Sequence, residues 1–76
     1  MKPKKQRINY FTFGQNHFHP TTGEAMKDYW IEVIGGGSEA REKIVSIFGA
    51  KWSMHYNEDD FSSEYFPKGC YQKIQL

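Results

Sequence analysis

Two histidines one residue apart, His17-Phe18-His19, are the first group in this chain whose types and spacing could do chemistry. In an extended segment both imidazoles fall on the same side, as an H-x-H metal pair requires. A closed site needs four ligands, so the others would have to come from His55, Cys70 or a carboxylate distant in sequence. A loop with two polar rings beside Pro20 accounts for the same residues without a metal, and no metal or cofactor is assigned. Gly35-Gly36-Gly37-Ser38 follows an expected strand and opens an expected helix, the setting in which backbone amides can hold phosphate. It matches neither G-x-x-x-x-G-K-[ST] nor G-x-G-x-x-G, and three glycines also serve simply to turn a strand onto a helix. Cys70 with His55 would be nucleophile and base in name only, because such a pair occurs by chance in most chains. Glu58, Asp59, Asp60 and Glu64 could surround a cation but follow no calcium-loop spacing, which leaves a solvated acidic loop. No catalytic set emerges, and the expectation is a non-enzymatic protein.

The elements that must position these groups are built around residues 35–52. Ser38 is the expected N-cap, since its hydroxyl can take an orphan N–H of the first turn. Ala40, Ile44, Ile47 and Phe48 then recur at i, i+4, i+7 and i+8, one face of an amphipathic helix that Gly49 should close in a left-handed conformation. Residues 8–13 alternate as a strand, with Phe11 and Phe13 on the face toward the helix. Residues 28–34 form a second strand, apolar on both faces, with Tyr29, Ile31 and Val33 on one and Trp30, Glu32 and Ile34 on the other. Residues 51–57 read as a third strand that puts Trp52, Met54 and Tyr56 on one side. Residues 70–74 would add an edge strand, protected by Lys73. Between the first two strands, Pro20 and Gly23 mark a hairpin tip into which the strands extend a little way.

The expected fold is therefore α+β, a three- or four-stranded antiparallel sheet with one helix packed on one face, in the order β-β-α-β with a possible further edge strand. Its core would be Phe11, Phe13, Ile31, Val33, Ile44, Ile47, Phe48 and Trp52. Residues 8–76 form a single domain, preceded at residues 1–7 by a mobile basic tail. A chain of 76 residues buries only about 60% of its unfolded surface, so some of its rings (17% of the sequence) must stay partly exposed. A formal charge of +1 fits neither an acidic nucleic-acid mimic nor a broadly basic chain. The single Cys70 cannot form an internal disulfide, which points to a reducing compartment. No apolar run approaches the roughly 20 residues of a membrane span, no signal-type apolar segment follows the basic start, and a cytoplasmic location is expected.

Exposed rings beside charged groups are the mixture found at protein-binding hot spots. Two irregular segments carry that mixture: His17, Phe18 and His19 in the first loop, and Asp59, Asp60, Glu64, Tyr65, Phe66 and Lys68 in the second. Together they are the expected partner surface. The alternative is a nucleic-acid-binding module in which Lys2, Lys4, Lys5 and Arg7 contact phosphates.

Four stretches carry a further likeness: Tyr10-Phe11-Thr12-Phe13-Gly14-Gln15 with His17, Lys27-Asp28, Phe48-Gly49-Ala50-Lys51-Trp52, and Tyr65-Phe66-Pro67-Lys68-Gly69. In them the chain resembles a set of small phage-encoded proteins of unassigned activity, over most of its length outside the basic tail. His19-Pro20 is the departure from that pattern. The resemblance implies a phage or prophage accessory protein in a bacterial cytoplasm. Proteins of that kind often block host defences, CRISPR systems included, by binding a host protein.

Overall fold

The computed structural model describes residues 7–76. Strand β1 (Ile8–Thr12) and strand β2 (Tyr29–Ile34) pair antiparallel, helix α1 (Gly37–Phe48) follows, and strand β3 (Met54–Asn57) returns beside β1. A 3₁₀ turn (Ser63–Tyr65) precedes the last strand, β4 (Gly69–Gln75). The four strands form one sheet in the order β3-β1-β2-β4, an α+β fold with one α-helix among the described residues.

The sheet is mixed rather than antiparallel throughout, because β4 runs parallel to β2. The reason lies in the last connection. Both β3 and β2 are antiparallel to β1, so β3 and β4 are edge strands pointing the same way. Joining them takes a crossover of the whole sheet, and residues 58–68 are close to the dozen or so residues that such a connection needs.

α1 packs on one face. Phe11, Phe13, Met26, Ile31, Val33, Ala40, Ile44 and Phe48 are buried between helix and sheet, with Tyr29, Ile47, Trp52, Tyr71 and Ile74 around them. The faces expected for β1 and β2 are those observed. Ile47 is half-buried instead of central: the buried stripe runs through residues 40, 44 and 48, and at 3.6 residues per turn Ile47 lies about 60° from its middle. Trp52 precedes β3, so strand alternation does not govern it, and its ring packs edge-on against Phe11 on the helix side at 5.4 Å. Met26, from the loop, is fully buried in the core although it was not among the residues expected there.

The helix starts at Gly36 as N-cap with no side-chain cap bond, and Ser38 sits within the first turn. The chain must turn sharply before any cap can form. Gly35 adopts φ 154°, and a Cβ there would strike Leu76 at 2.7 Å. Gly49 closes the helix at φ 62°, its N–H bonded to the Val45 carbonyl.

Candidate functional site on the loop-covered face of the sheet

Alternation sends Tyr10, Trp30, Glu32 and Tyr56 to the face opposite α1. The crossover covers that face with rings. It begins with an Asx turn, in which Asn57 Oδ1 accepts the Asp59 and Asp60 N–H groups at 3.0 Å each. The turn leaves both carboxylates exposed and returns Phe61 to the sheet. Phe61 stacks on Tyr10 with centroids 4.1 Å apart and meets Trp30 edge-on at 5.2 Å. It also stacks on Phe66 at 5.6 Å and approaches Tyr56 at 6.1 Å. Next, Ser62 Oγ donates to Glu64 Oε1, and the 3₁₀ turn directs Phe66 inward while Tyr65 is left 73% exposed. The Lys68 N–H donates to the Asp28 carbonyl, which pins the end of the crossover beside β2.

Tyr56, Asp60, Phe61, Ser62, Tyr65 and Phe66 line a groove of about 250 Å³. Four aromatic rings and one carboxylate therefore surround a space suited to a single side chain, below the roughly 300–1,000 Å³ of drug-sized sites. Among the described residues, the Asp59 and Asp60 carboxylates have no hydrogen-bond or ion-pair partner. Burial first, then Glu32 on β2 and Glu58, push the Tyr10 phenol upward from its ordinary pKa. Trp30 Nε1 is buried on this face with no hydrogen-bond partner, at a cost of about 1–3 kcal/mol, so ring packing there outweighs polar satisfaction.

No protein-family model, no curated protein and no solved structure matches this chain. Geometry alone must rank the sites.

The two segments expected to share one surface are held on opposite faces. Residues 17–26 form a small hairpin on the helix side, bridged at Phe18 and Ala25. His17 Nδ1 accepts the Gly14 N–H at 2.7 Å, and its ring lies edge-on to Phe13. His19 Nδ1 accepts the Thr21 and Thr22 N–H groups, while its ring rests against Phe48 and Tyr71. Each imidazole thus has one nitrogen committed to shaping its own loop, and Phe18 stands half-exposed between them. Asp60, Tyr65 and Phe66 do come together in the groove, whereas Asp59 lines the polar groove near His55 and Glu64 lines neither. Lys68 sits at the margin, its ammonium 5.5 Å from the centre of the Tyr29 ring. Lys2, Lys4 and Lys5 lie outside the described residues. Arg7 is exposed, and its carbonyl accepts the Gly35 N–H. Tyr56 and Phe61 belong to the groove although neither stood among the expected partner residues. The available signal was Phe61 itself, a lone ring between Asp60 and Ser62 that must bury its face somewhere.

A second, polar groove of about 580 Å³ opens at the start of α1, lined in part by Arg7, Asn9, Gly37, His55 and Glu58. Asn9 is buried and donates through Nδ2 to the Val33 and Gly35 carbonyls, so its Oδ1 is the acceptor facing His55 Nε2 at 2.9 Å. That fixes the neutral imidazole with its proton on Nε2 and leaves Nδ1 to accept from Arg41 Nη2 at 3.5 Å. Burial, then the Arg41 charge, lowers the His55 pKa. Both nitrogens are used to clamp β1, β3 and α1 together. Cys70 is on β4 and His55 on β3, the two opposite edges of the sheet, so they cannot act as a pair. Among the described residues no group of three or more His, Cys, Asp or Glu is arranged to hold a metal ion.

Proposed function

We propose that this chain is a non-enzymatic binding protein that engages a basic surface of a host protein through the crossover loop, residues 58–68. The observation that carries the proposal is Tyr65. It is held 73% exposed beside a ring-lined groove whose one carboxylate, Asp60, has no partner among the described residues. Exposed Tyr is enriched at hot spots, and a surrounding ring of like charge speeds encounter with a partner of opposite charge. The scaffold suits such a role, since the sheet fixes the loop through the rings of Tyr10, Trp30 and Tyr56. The structural hydrogen bonds of His17, His19 and His55, and the separation of Cys70 from His55 on opposite sheet edges, support the non-enzymatic part. The phage-like stretches of sequence support the setting: an accessory protein in the cytoplasm of a bacterial host, acting as an inhibitor of a defence system such as CRISPR. No helix is long and apolar enough to cross a membrane.

The test compares affinity capture from host lysate by the parent chain with capture by an Asp59→Asn, Asp60→Asn, Glu64→Gln variant whose circular dichroism matches the parent. Loss of one specific protein band in the variant is the expected result. Equal capture by both would move the surface elsewhere. Binding dominated by nucleic acid would weaken steeply with salt and flatten on removal of residues 1–7, and that result would replace this function with the alternative.

A further inference from the structure

The groove on the loop-covered face has a composition that selects a ligand charge as well as a size. Its walls are Tyr56, Phe61, Tyr65 and Phe66, and its polar groups are Asp60 and Ser62. Aromatic faces carry negative quadrupole potential and attract cations, and a carboxylate beside them adds direct charge. A neutral apolar side chain would gain the rings but leave Asp60 desolvated without compensation. An anion would meet Asp60, together with the Glu58, Asp59 and Glu64 carboxylates of the same crossover. A cation satisfies every wall. The volume of about 250 Å³ holds one side chain, too little for a nucleotide or a folded motif.

We infer that this groove is an aromatic cage for the guanidinium of an arginine side chain presented by the protein partner. The inference rests on the function proposed above and names the chemistry that the same surface recognises. Two observations favour guanidinium over ammonium. Phe61 and Phe66 stack on each other, their planes 14° apart and their centroids 5.6 Å apart, too close to admit a group between them; the half-exposed pair offers one flat surface, against which a planar guanidinium lies. Asp60 has a free carboxylate, able to accept a bidentate pair from the edge of the same group. Phe61 is fixed from behind by Tyr10, so the inner wall exists before any ligand arrives, which limits the ordering that binding must cost. Tyr65 is the outer wall. Its exposure is what an open cage requires, and the 3₁₀ turn places it within reach of the groove it lines.

The experiment is an NMR titration of the full isotope-labelled chain with N-acetyl-arginine amide. N-acetyl-citrulline amide, which has the same shape without the charge, is run in parallel. Saturating shifts centred on Tyr56, Asp60, Phe61, Tyr65 and Phe66 with the arginine probe, and much smaller ones with citrulline, are the expected result. Tyr65→Ala and Asp60→Asn, two exposed positions whose replacement leaves the sheet intact, should each weaken the probe on the order of tenfold. Three results would overturn the inference: equal shifts with citrulline, shifts centred elsewhere, or undiminished binding by both folded variants. N-acetyl-lysine amide binding as tightly as arginine would overturn the choice of guanidinium. The titration uses the protein without a partner. Its failure therefore removes the cage alone, whereas the wider face stands or falls by the capture experiment with the triple variant.

Discussion

Replacing Phe61 by Ala should destabilise the whole domain, although Phe61 belongs to a loop. A fully buried Phe→Ala change costs about 3–5 kcal/mol, and each aromatic pair contributes about 0.5–1.5 kcal/mol beyond its area. Phe61 is paired with Tyr10, Trp30, Tyr56 and Phe66 but keeps part of its surface in water, so about 2–3 kcal/mol is expected. At roughly 0.05–0.15 kcal/mol per residue the domain has about 4–11 kcal/mol to lose. For a chain of this size each kcal/mol moves the melting temperature by about 4–8 °C, so the midpoint should fall by about 10–20 °C. Far-UV circular dichroism reads the midpoint, and near-UV dichroism reads the ring cluster directly. Phe18→Ala is the matched control. The side chain is the same type but half-exposed and outside the ring cluster, so its cost should stay within about 0.5 kcal/mol. A Phe61→Ala midpoint within about 3 °C of the parent would refute the packed crossover, and with it the preformed inner wall of the groove.

Ile44→Ala should cost about 2–5 kcal/mol and Ile47→Ala clearly less, because Ile44 is fully buried and Ile47 only half so; urea unfolding of both settles the helix face, and the reverse order would rotate it. His55 makes stability pH-dependent with a definite sign. Its folded pKa lies below the ordinary 6.5, so the unfolded chain takes up the proton first as pH falls, and stability present above about pH 6.5 is lost below it. The facing groups are Asn9, Arg41, Arg7, Glu58 and Asp59, and subtracting a His55→Gln titration from that of the parent isolates the effect; a flat difference would remove the clamp. Asp28 adopts φ 71° at the turn into β2, so Asp28→Gly should hold or raise the melting temperature while Asp28→Val costs about 1–2 kcal/mol.

Much of the helix side was legible in the sequence because it obeys local periodicities. Ala40, Ile44 and Phe48 mark the buried stripe, and Phe11, Ile31 and Val33 follow strand alternation into the same core. Ser38 misled because a side-chain cap is a local preference, whereas Gly35 answers to a nonlocal demand, the approach of Leu76 to the strand-to-helix turn. The direction of β4 was not legible for a similar reason. A connection of this length can return as a wide hairpin or cross the sheet, and the choice lies in where Phe61 and Phe66 find rings. Those rings belong to Tyr10, Trp30 and Tyr56, on three different strands, and no pattern within residues 58–68 announces them. The candidate site was legible in part: Asp60, Tyr65 and Phe66 line one groove, while Asp59 lines the polar groove near His55 and His17, Phe18 and His19 sit on the helix side.

The two covers of this sheet differ in kind, and the difference says where binding is to be sought. α1 covers its face with backbone satisfied by its own hydrogen bonds and a stripe of side chains meeting at a closed core. The crossover has little regular structure, only a three-residue 3₁₀ turn and a few turn bonds. It is held chiefly by rings stacked on rings. A helix would have hidden that face more cheaply, since regular structure satisfies its own polar groups. An irregular cover can instead turn one ring outward while its neighbours face in, and the sequence Tyr65-Phe66 does this within two residues. In a chain that packs most of its rings against one another, a tyrosine held 73% exposed in the same groove as the unpaired Asp60 carboxylate is the departure that packing does not explain. Contact with a basic partner would explain it.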